Sequence, residues 1–208
     1  MKIYGIPTLN SIKVVLTAEQ LDLDYELILM DFSKGEHKTP EHLQRHPLGK
    51  VPVIEHDGKT LFESNAICIY LAASSGSALW PQDVHAQGLI HQWIDMLSFH
   101  PGRWLSVHYF ENFIKPRFVG GEADAGELEQ ADRFLDEQLP VVDRHLARQT
   151  WLCGEAQTVA DLVGFAFFHT HEFSGYSFHQ YPAITRWYQQ IRRSDGTSRM
   201  LTRLDLPR

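Results

Sequence analysis

Two cysteines in 208 residues, Cys68 and Cys153, are too few for a disulfide framework, so this is not a small secreted scaffold held by staples. No block of lysine or arginine occurs and the net charge is −7, which argues against a phosphate-backbone partner; no nucleic acid is expected. Uninterrupted apolar sequence is also scarce. The longest run, Ala66 to Ala73, is far short of the ~20 residues needed to cross a bilayer, so no membrane partner is expected either. The start of the chain enters a strand pattern with no basic-then-apolar leader, which makes a cytoplasmic location the expectation. There is no internal repeat and no low-complexity segment. Twelve histidines invite a metal reading, but His42-x-x-x-His46 and His169-x-His171 each lack a third ligand at useful spacing, so no metal is expected.

What is present is 43% hydrophobic residues, enough for one large core or two small ones. Residues 1–31 read as strand, helix, strand: Lys2–Tyr4, a helix from about Asn10 to Leu21, then Tyr25–Met30. Gly49-Lys50-Val51-Pro52-Val53-Ile54 reads as a strand entered through a proline, followed by an Asp57-Gly58 hairpin and a short second strand. A helix opens at Glu63-Ser64, with Ala66, Ile67, Tyr70 and Leu71 as its core stripe. Residues 76–86 form a small, polar linker between a first domain, 1–75, and a second, 87–208.

The second domain is helical in period throughout. Ile90, Trp93, Ile94 and Leu97 make one apolar face. Leu128, Leu135, Leu139, Val142 and Leu146 make another, in a helix that Pro140 is expected to kink. Thr158-Val159-Ala160-Asp161 is a capping-box pattern ahead of the apolar Leu162–Phe168. Trp104, His108, Tyr109 and Phe113 have the spacing of a core face, with an electrophile pocket as their other use. Cys68 and Cys153 read as packing residues.

A proline at a strand start removes one ladder donor and frees a length of backbone edge. A serine at a helix start, with the spare amides behind it, is suited to a carboxylate. The two side by side are what binding a small, acidic, extended peptide requires. The segment resembles the glutathione-binding half of soluble glutathione transferases. Met1-Lys2-Ile3-Tyr4-Gly5 looks like that family's first strand, and Thr8-Leu9-Asn10-Ser11-Ile12-Lys13 like the catalytic turn of bacterial nu-class members. Lys34 to Leu43 is similar to the glutathione loop of phi-class members. Together these cover most of residues 1–75.

The resemblance implies a thioredoxin-like α/β domain followed by an all-helical domain, in a homodimeric detoxification enzyme with glutathione as co-substrate and no further cofactor. The partners it implies are glutathione and an electrophilic small molecule. By resemblance Thr8 is the first candidate to bind the thiolate, Asn10 a second donor, and Ser11 an alternative catalytic residue; ordinary helix capping is the competing role for all three. Val51 would offer its backbone to the cysteinyl unit, which requires a cis Val51-Pro52 bond. Glu63 and Ser64 would hold the γ-glutamyl end, and His37, Lys38 and Lys50 the glycyl carboxylate. Asp95 would reach glutathione's amino group across a dimer interface, with a solvated helix-face acid as its plainer reading. Lys50 stands where phi-class members carry glutamine, and Asn65 replaces an arginine. Alternatives within this frame are a glutathione-dependent disulfide reductase or peroxidase working without a cysteine, and a non-catalytic binding or regulatory protein.

A donor that bonds the thiolate but not the thiol lowers the thiol pKa from its usual ~8.5. A drop of about two units raises the thiolate fraction roughly 25-fold at neutral pH. The accompanying loss of nucleophilicity takes back about 8-fold, so ionisation alone yields only ~3-fold. Holding the electrophile against the sulfur must supply the rest.

Overall fold

The β-branched and large apolar residues near the start of the chain form the centre of a sheet. In this computed structural model, which describes residues 1–207, β1 (Lys2–Gly5) leads through α1 (Leu9–Gln20) to β2 (Glu26–Leu29). The two strands pair in parallel, the arrangement that needs a crossover helix such as α1. After two single 3₁₀ turns come α2 (Pro40–Arg45), β3 (Val53–His56), β4 (Lys59–Phe62) and α3 (Ser64–Ser74). The sheet order is β2-β1-β3-β4, with β3 antiparallel to both of its neighbours. Asp57 and Gly58 both have positive φ, 50° and 72°, as a two-residue hairpin turn demands. Expected element bounds and observed ones differ by a residue or so, the usual uncertainty of helix and strand ends.

The second unit, Gln82–Ile191, is all helix. It contains α4 (Val84–Phe99), α5 (Pro101–Tyr109), α6 (Ala125–Leu146), α7 (Val159–His169), the single-turn α8 (His171–Ser174) and α9 (Pro182–Arg192), whose last residue belongs to the first unit. Beyond Tyr109 the chain widens into a π-helical stretch, Phe110–Val119, that no sequence pattern announced. Ile90, Trp93, Ile94 and Leu97 are buried, as are Leu135, Leu139, Val142 and Leu146, while Leu128 is half-buried. The helix α6 runs unbroken through Pro140: one missing N–H does not interrupt a helix anchored by the buried Leu139 and Val142 on either side. Every residue of α7 is buried. Its start is held by Asp161, whose Oδ2 accepts from Thr158 N at 2.8 Å and Thr158 Oγ1 at 3.2 Å. Gly164 lets α4 pack closely, because a Cβ there would sit 2.6 Å from Leu97 Cδ1 and force that side chain to shift.

The C-terminal segment departs from the expected domain boundary. The stretch from Arg192 belongs with Met1–Pro81, because α10 (Asp195–Arg203) packs on α1. The buried carboxylate of Glu19 explains this return: Arg199 Nε reaches its Oε2 at 2.7 Å, and Gln20 Nε2 donates to Ser194 Oγ at 2.6 Å. The architecture is a thioredoxin-like mixed sheet with helices and, following it, a helical domain. No helix among the described residues is long and apolar enough to cross a membrane.

Candidate active site

The turn into α1 presents Thr8 in extended conformation at the N-cap position, φ −136° and ψ 164°, with no side-chain bond to the helix it caps. Three other caps in the chain do bond their helices. Asp83 Oδ1 accepts from Ala86 N at 2.8 Å, Asp124 Oδ1 from Gly126 N at 2.9 Å, and Ser194 Oγ from Thr197 N at 3.2 Å. Capping therefore does not account for the half-buried hydroxyl of Thr8. Asn10 is exposed, and its Oδ1 accepts from Ser64 Oγ at 3.3 Å, which joins the start of α1 to the start of α3. Ser11 is another matter. It is fully buried and its Oγ accepts from Ile6 N at 3.2 Å, so it holds the turn from within and has no surface to offer a thiolate. Ser11 is accordingly withdrawn from the catalytic candidates.

On the adjoining backbone the Val51-Pro52 bond is cis, as the backbone expectation at this position requires. Val51 is half-buried, and its N–H and C=O enter no hydrogen bond among the described residues. Glu63 precedes α3 with φ 69° and ψ 109°, an unusual backbone conformation for a residue with a side chain, and is exposed. Such outliers persist where the surroundings over-determine them. Behind it Ser64 is buried and opens α3, whose first-turn amides have no carbonyl of their own helix to bond.

Lys13 was not foreseen. It lies in the buried run Ile12 to Leu16 of α1, 3% exposed, and donates to Ser64 Oγ at 3.5 Å and Asn65 Oδ1 at 3.1 Å. Burial pulls its pKa down to about 8. The one signal in the sequence is a lysine with apolar neighbours on both sides inside an amphipathic helix.

The residues expected at the glycyl end come together around Gly49. This glycine has φ 61°, and a Cβ on it would meet the His37 carbonyl oxygen at 2.4 Å, so only glycine lets the two segments approach. The His37 ring stacks on Phe32 with centroids 4.0 Å apart, and its Nδ1 is buried without a partner. Burial, then the positive charge of Lys38 and nearby groups, holds His37 below its usual pKa. Lys38 Nζ donates to the Leu48 carbonyl at 3.2 Å. Lys50 is exposed, and its backbone is fixed by His42 Nε2, 2.9 Å from the Lys50 carbonyl oxygen. His42 is a second residue the sequence did not single out for this role.

In the helical unit Trp104, His108 and Tyr109 are buried. Trp104 stacks on Phe134 at 4.4 Å, and His108 Nε2 lies 2.9 Å from Asp132 Oδ1. Phe113 is half-buried beneath the Arg117 guanidinium, 4.4 Å from its ring centroid. These side chains serve the core, and Asp95 is an exposed helix-face acid. Burial pushes both thiols up, Cys68 to about 11 and Cys153 to about 11, which leaves neither reactive. Among the described residues no three His, Cys, Asp or Glu side chains gather as a metal site.

Comparison with known proteins adds a family. Residues 1–73 match the model described as glutathione S-transferase, N-terminal domain, and residues 92–195 the one for the C-terminal domain. Glutathione S-transferase 3 of Zea mays is 35% identical over 167 residues, 77% of this chain and 73% of that one. A disulfide-bond oxidoreductase of Escherichia coli is 28% identical over 211 residues, covering 98% of this chain and 95% of that protein. A solved glutathione S-transferase-I with the ligand lactoylglutathione superposes with a TM-score of 0.89 at 25% identity, covering 97% of this chain and 98% of that one.

Proposed function

The chain belongs to the glutathione S-transferase family and is an enzyme of the transferase class, and we propose that it works by directing a bound glutathione thiolate, stabilised by Thr8, at an electrophilic small molecule. The observation that carries the reading is the Thr8 hydroxyl: an N-cap side chain bonded to no helix amide, next to the Asn10–Ser64 contact that joins two helix starts. A hydroxyl donating to sulfur bonds the thiolate more strongly than the thiol, and the positive end of α1 acts in the same direction. Asn10 lies beside it as a second donor.

The rest of the tripeptide follows the chain. The unpartnered Val51 backbone suits the cysteinyl unit. Glu63 and Ser64, with the first amides of α3, suit the charged γ-glutamyl end, and Pro52 fixes the intervening backbone. His37, Lys38 and Lys50 lie around Gly49 to receive the glycyl carboxylate, with Lys38 and Lys50 both exposed cations. We place the enzyme in the cytoplasm as a homodimer, on the strength of the family resemblance; light scattering at micromolar concentration tests the dimer.

An ultraviolet difference titration with glutathione near pH 6.5 tests the assignment of Thr8. A saturable thiolate band is expected in the wild type, and Thr8→Ala is expected to lose it while still binding glutathione in calorimetry. An undiminished band in Thr8→Ala removes Thr8 from its role. If no band forms even in wild type, the site binds without ionising. The 28% identity to the disulfide-bond oxidoreductase over nearly the whole chain supports a second reading, glutathione-dependent disulfide reduction without a protein cysteine. Turnover of a small disulfide measured against a chloronitroaromatic separates the two.

A further inference from the structure

The backbone between Gly49 and β3 is held at a single point. Gly49 N donates to the His46 carbonyl at 2.8 Å, and Val53 is the first residue of β3 to pair with β1. Between them, among the described residues, the N–H and C=O groups of Lys50 and Val51 make one hydrogen bond: His42 Nε2 lies 2.9 Å from the Lys50 carbonyl oxygen. A carbonyl can only accept, so Nε2 carries the proton. In a trans peptide the C=O and the following N–H share a plane and point in opposite directions. The Lys50-Val51 bond is trans, so a Lys50 carbonyl turned to α2 sends the Val51 N–H away from that helix. We propose that His42 is a positioning residue for glutathione's cysteinyl unit, holding the Lys50-Val51 peptide so that the Val51 N–H is aimed at the cysteinyl carbonyl. The inference rests on the reading that the Val51 backbone receives that unit.

Two observations favour this over plain packing. His42 is fully buried, and its Nδ1 has no hydrogen-bond partner among the described residues. Burying an unpaired ring nitrogen is costly, so a phenylalanine would fill the same space at less expense. What the histidine adds is one donor, and that donor goes to the peptide that carries the Val51 N–H. The ring is also fixed independently of any ligand. Thr39 Oγ1 accepts from His42 N at 3.3 Å at the head of α2, and the Tyr4 ring of β1 meets the imidazole edge-on, centroids 6.4 Å apart. Tyr4 is held in turn by Glu55, which accepts from its hydroxyl at 3.0 Å, and by the Arg45 guanidinium, 4.5 Å from its ring centroid.

The consequence is a polarisation that passes through one peptide group. A ligand carbonyl accepting from the Val51 N–H makes the Lys50 carbonyl a stronger acceptor, which tightens the bond from His42. With the His42 donor gone, no hydrogen bond fixes the plane of this peptide, and the ligand must order it at the expense of its own affinity.

The test is calorimetric binding of S-methylglutathione and of its analogue in which a trans-alkene replaces the cysteinyl-glycine peptide bond, which removes the cysteinyl carbonyl. Wild type, His42→Phe and His42→Gln are compared; glutamine carries a donor nitrogen as many bonds from Cβ as the histidine Nε2. Wild type is expected to prefer S-methylglutathione. His42→Phe should lose roughly three- to tenfold in affinity for S-methylglutathione and little for the alkene, and His42→Gln should recover most of that loss. Equal losses for both ligands would show a purely structural histidine and overturn the proposal. A glutamine variant as weak as the phenylalanine one would tie the effect to ring shape and overturn it as well. Should His42→Phe fold poorly, proton NMR of the wild type decides: the His42 Nε2 proton must move downfield with S-methylglutathione and not with the alkene. A resonance that stays in place, or moves equally with both, removes the inference. If wild type binds the two ligands equally well, Val51 does not receive the cysteinyl carbonyl, and the reading beneath the inference fails with it. If wild type discriminates between them and His42→Phe discriminates as strongly, only the inference falls.

Discussion

The helix α1 buries a charge near each end, and the two are handled in opposite ways. Glu19, 5% exposed, is surrounded by donors: Tyr25 OH at 2.6 Å, Arg199 Nε at 2.7 Å and Arg203 Nε at 3.2 Å. Arg199 also reaches the Glu19 carbonyl and, at 2.6 Å, Asp22 Oδ1. Lys13, 3% exposed, donates to the neutral oxygens of Ser64 and Asn65, and its surroundings on balance disfavour its charge. A saturated buried carboxylate is a lock, here fastening the C-terminal helix α10 to the first unit. The ammonium of Lys13, by contrast, is held below its ordinary pKa by burial. Burial alone does not decide how a charge is held along this helix; the groups around it do.

The largest effect should come from breaking the lock. Glu19→Ala leaves the Tyr25 hydroxyl and two guanidinium groups without their shared acceptor. Both arginines are about half exposed and can turn to water, so the cost is expected at about 3 kcal/mol, the low end of the range for a broken buried pair. Urea unfolding measures it. Glutathione affinity of the folded variant should stay within about twofold, because Glu19 lies two turns of α1 from the site. A tenfold loss of affinity with unchanged stability would show that Glu19 serves the site and not the lock.

The opposite sign is expected at the other end. Lys13→Met removes the penalty of burying an ammonium and should raise stability by about 1–3 kcal/mol. The pH dependence distinguishes this from better packing. The folded-state pKa of about 8 lies below the ordinary 10.5, so between those values the unfolded chain carries more protons and wild-type stability rises with pH. From pH 7 to 9 the gain should be about 1 kcal/mol in wild type and absent in Lys13→Met. A flat wild-type profile would mean that the Lys13 ammonium is not disfavoured by its surroundings, and the contrast with Glu19 would close.

Much of the first unit was legible because its signals are local. The proline before β3, Asp57-Gly58 and the Glu63-Ser64 helix start each dictate backbone over a few residues, and each appears where the pattern put it. The second unit's buried faces followed from periodicity. What was missed depends on contacts between residues distant in sequence. Lys13 meets Ser64 and Asn65 only because α1 packs on α3, and His42 meets the Lys50 carbonyl across a loop. Arg199 meets Glu19 across almost the whole chain, which is why the return of α10 was invisible in advance. Ser11 shows the converse. Its type and place in the turn suited catalysis, but one residue of helical rotation aims it inward at Ile6 while Asn10 faces out.

The smallest effect probes how the lock is divided. Arg203 Nε is 3.2 Å from Glu19 Oε1, and its guanidinium lies 5.1 Å from the centroid of the Tyr25 ring. Arg199 makes shorter contacts, to both the carboxylate and the backbone of α1. The Arg203 side chain is 51% exposed, so water competes for its charge and salt screens it. Arg203→Ala should therefore cost only about 0.5 kcal/mol, and less in 1 M salt. Arg199→Ala, assayed alongside it, should cost more and respond less to salt, since it gives up a hydrogen bond to the α1 carbonyl that screening does not abolish. Equal costs would show that the lock is a diffuse charge attraction with no preference for the guanidinium that bonds the backbone of α1.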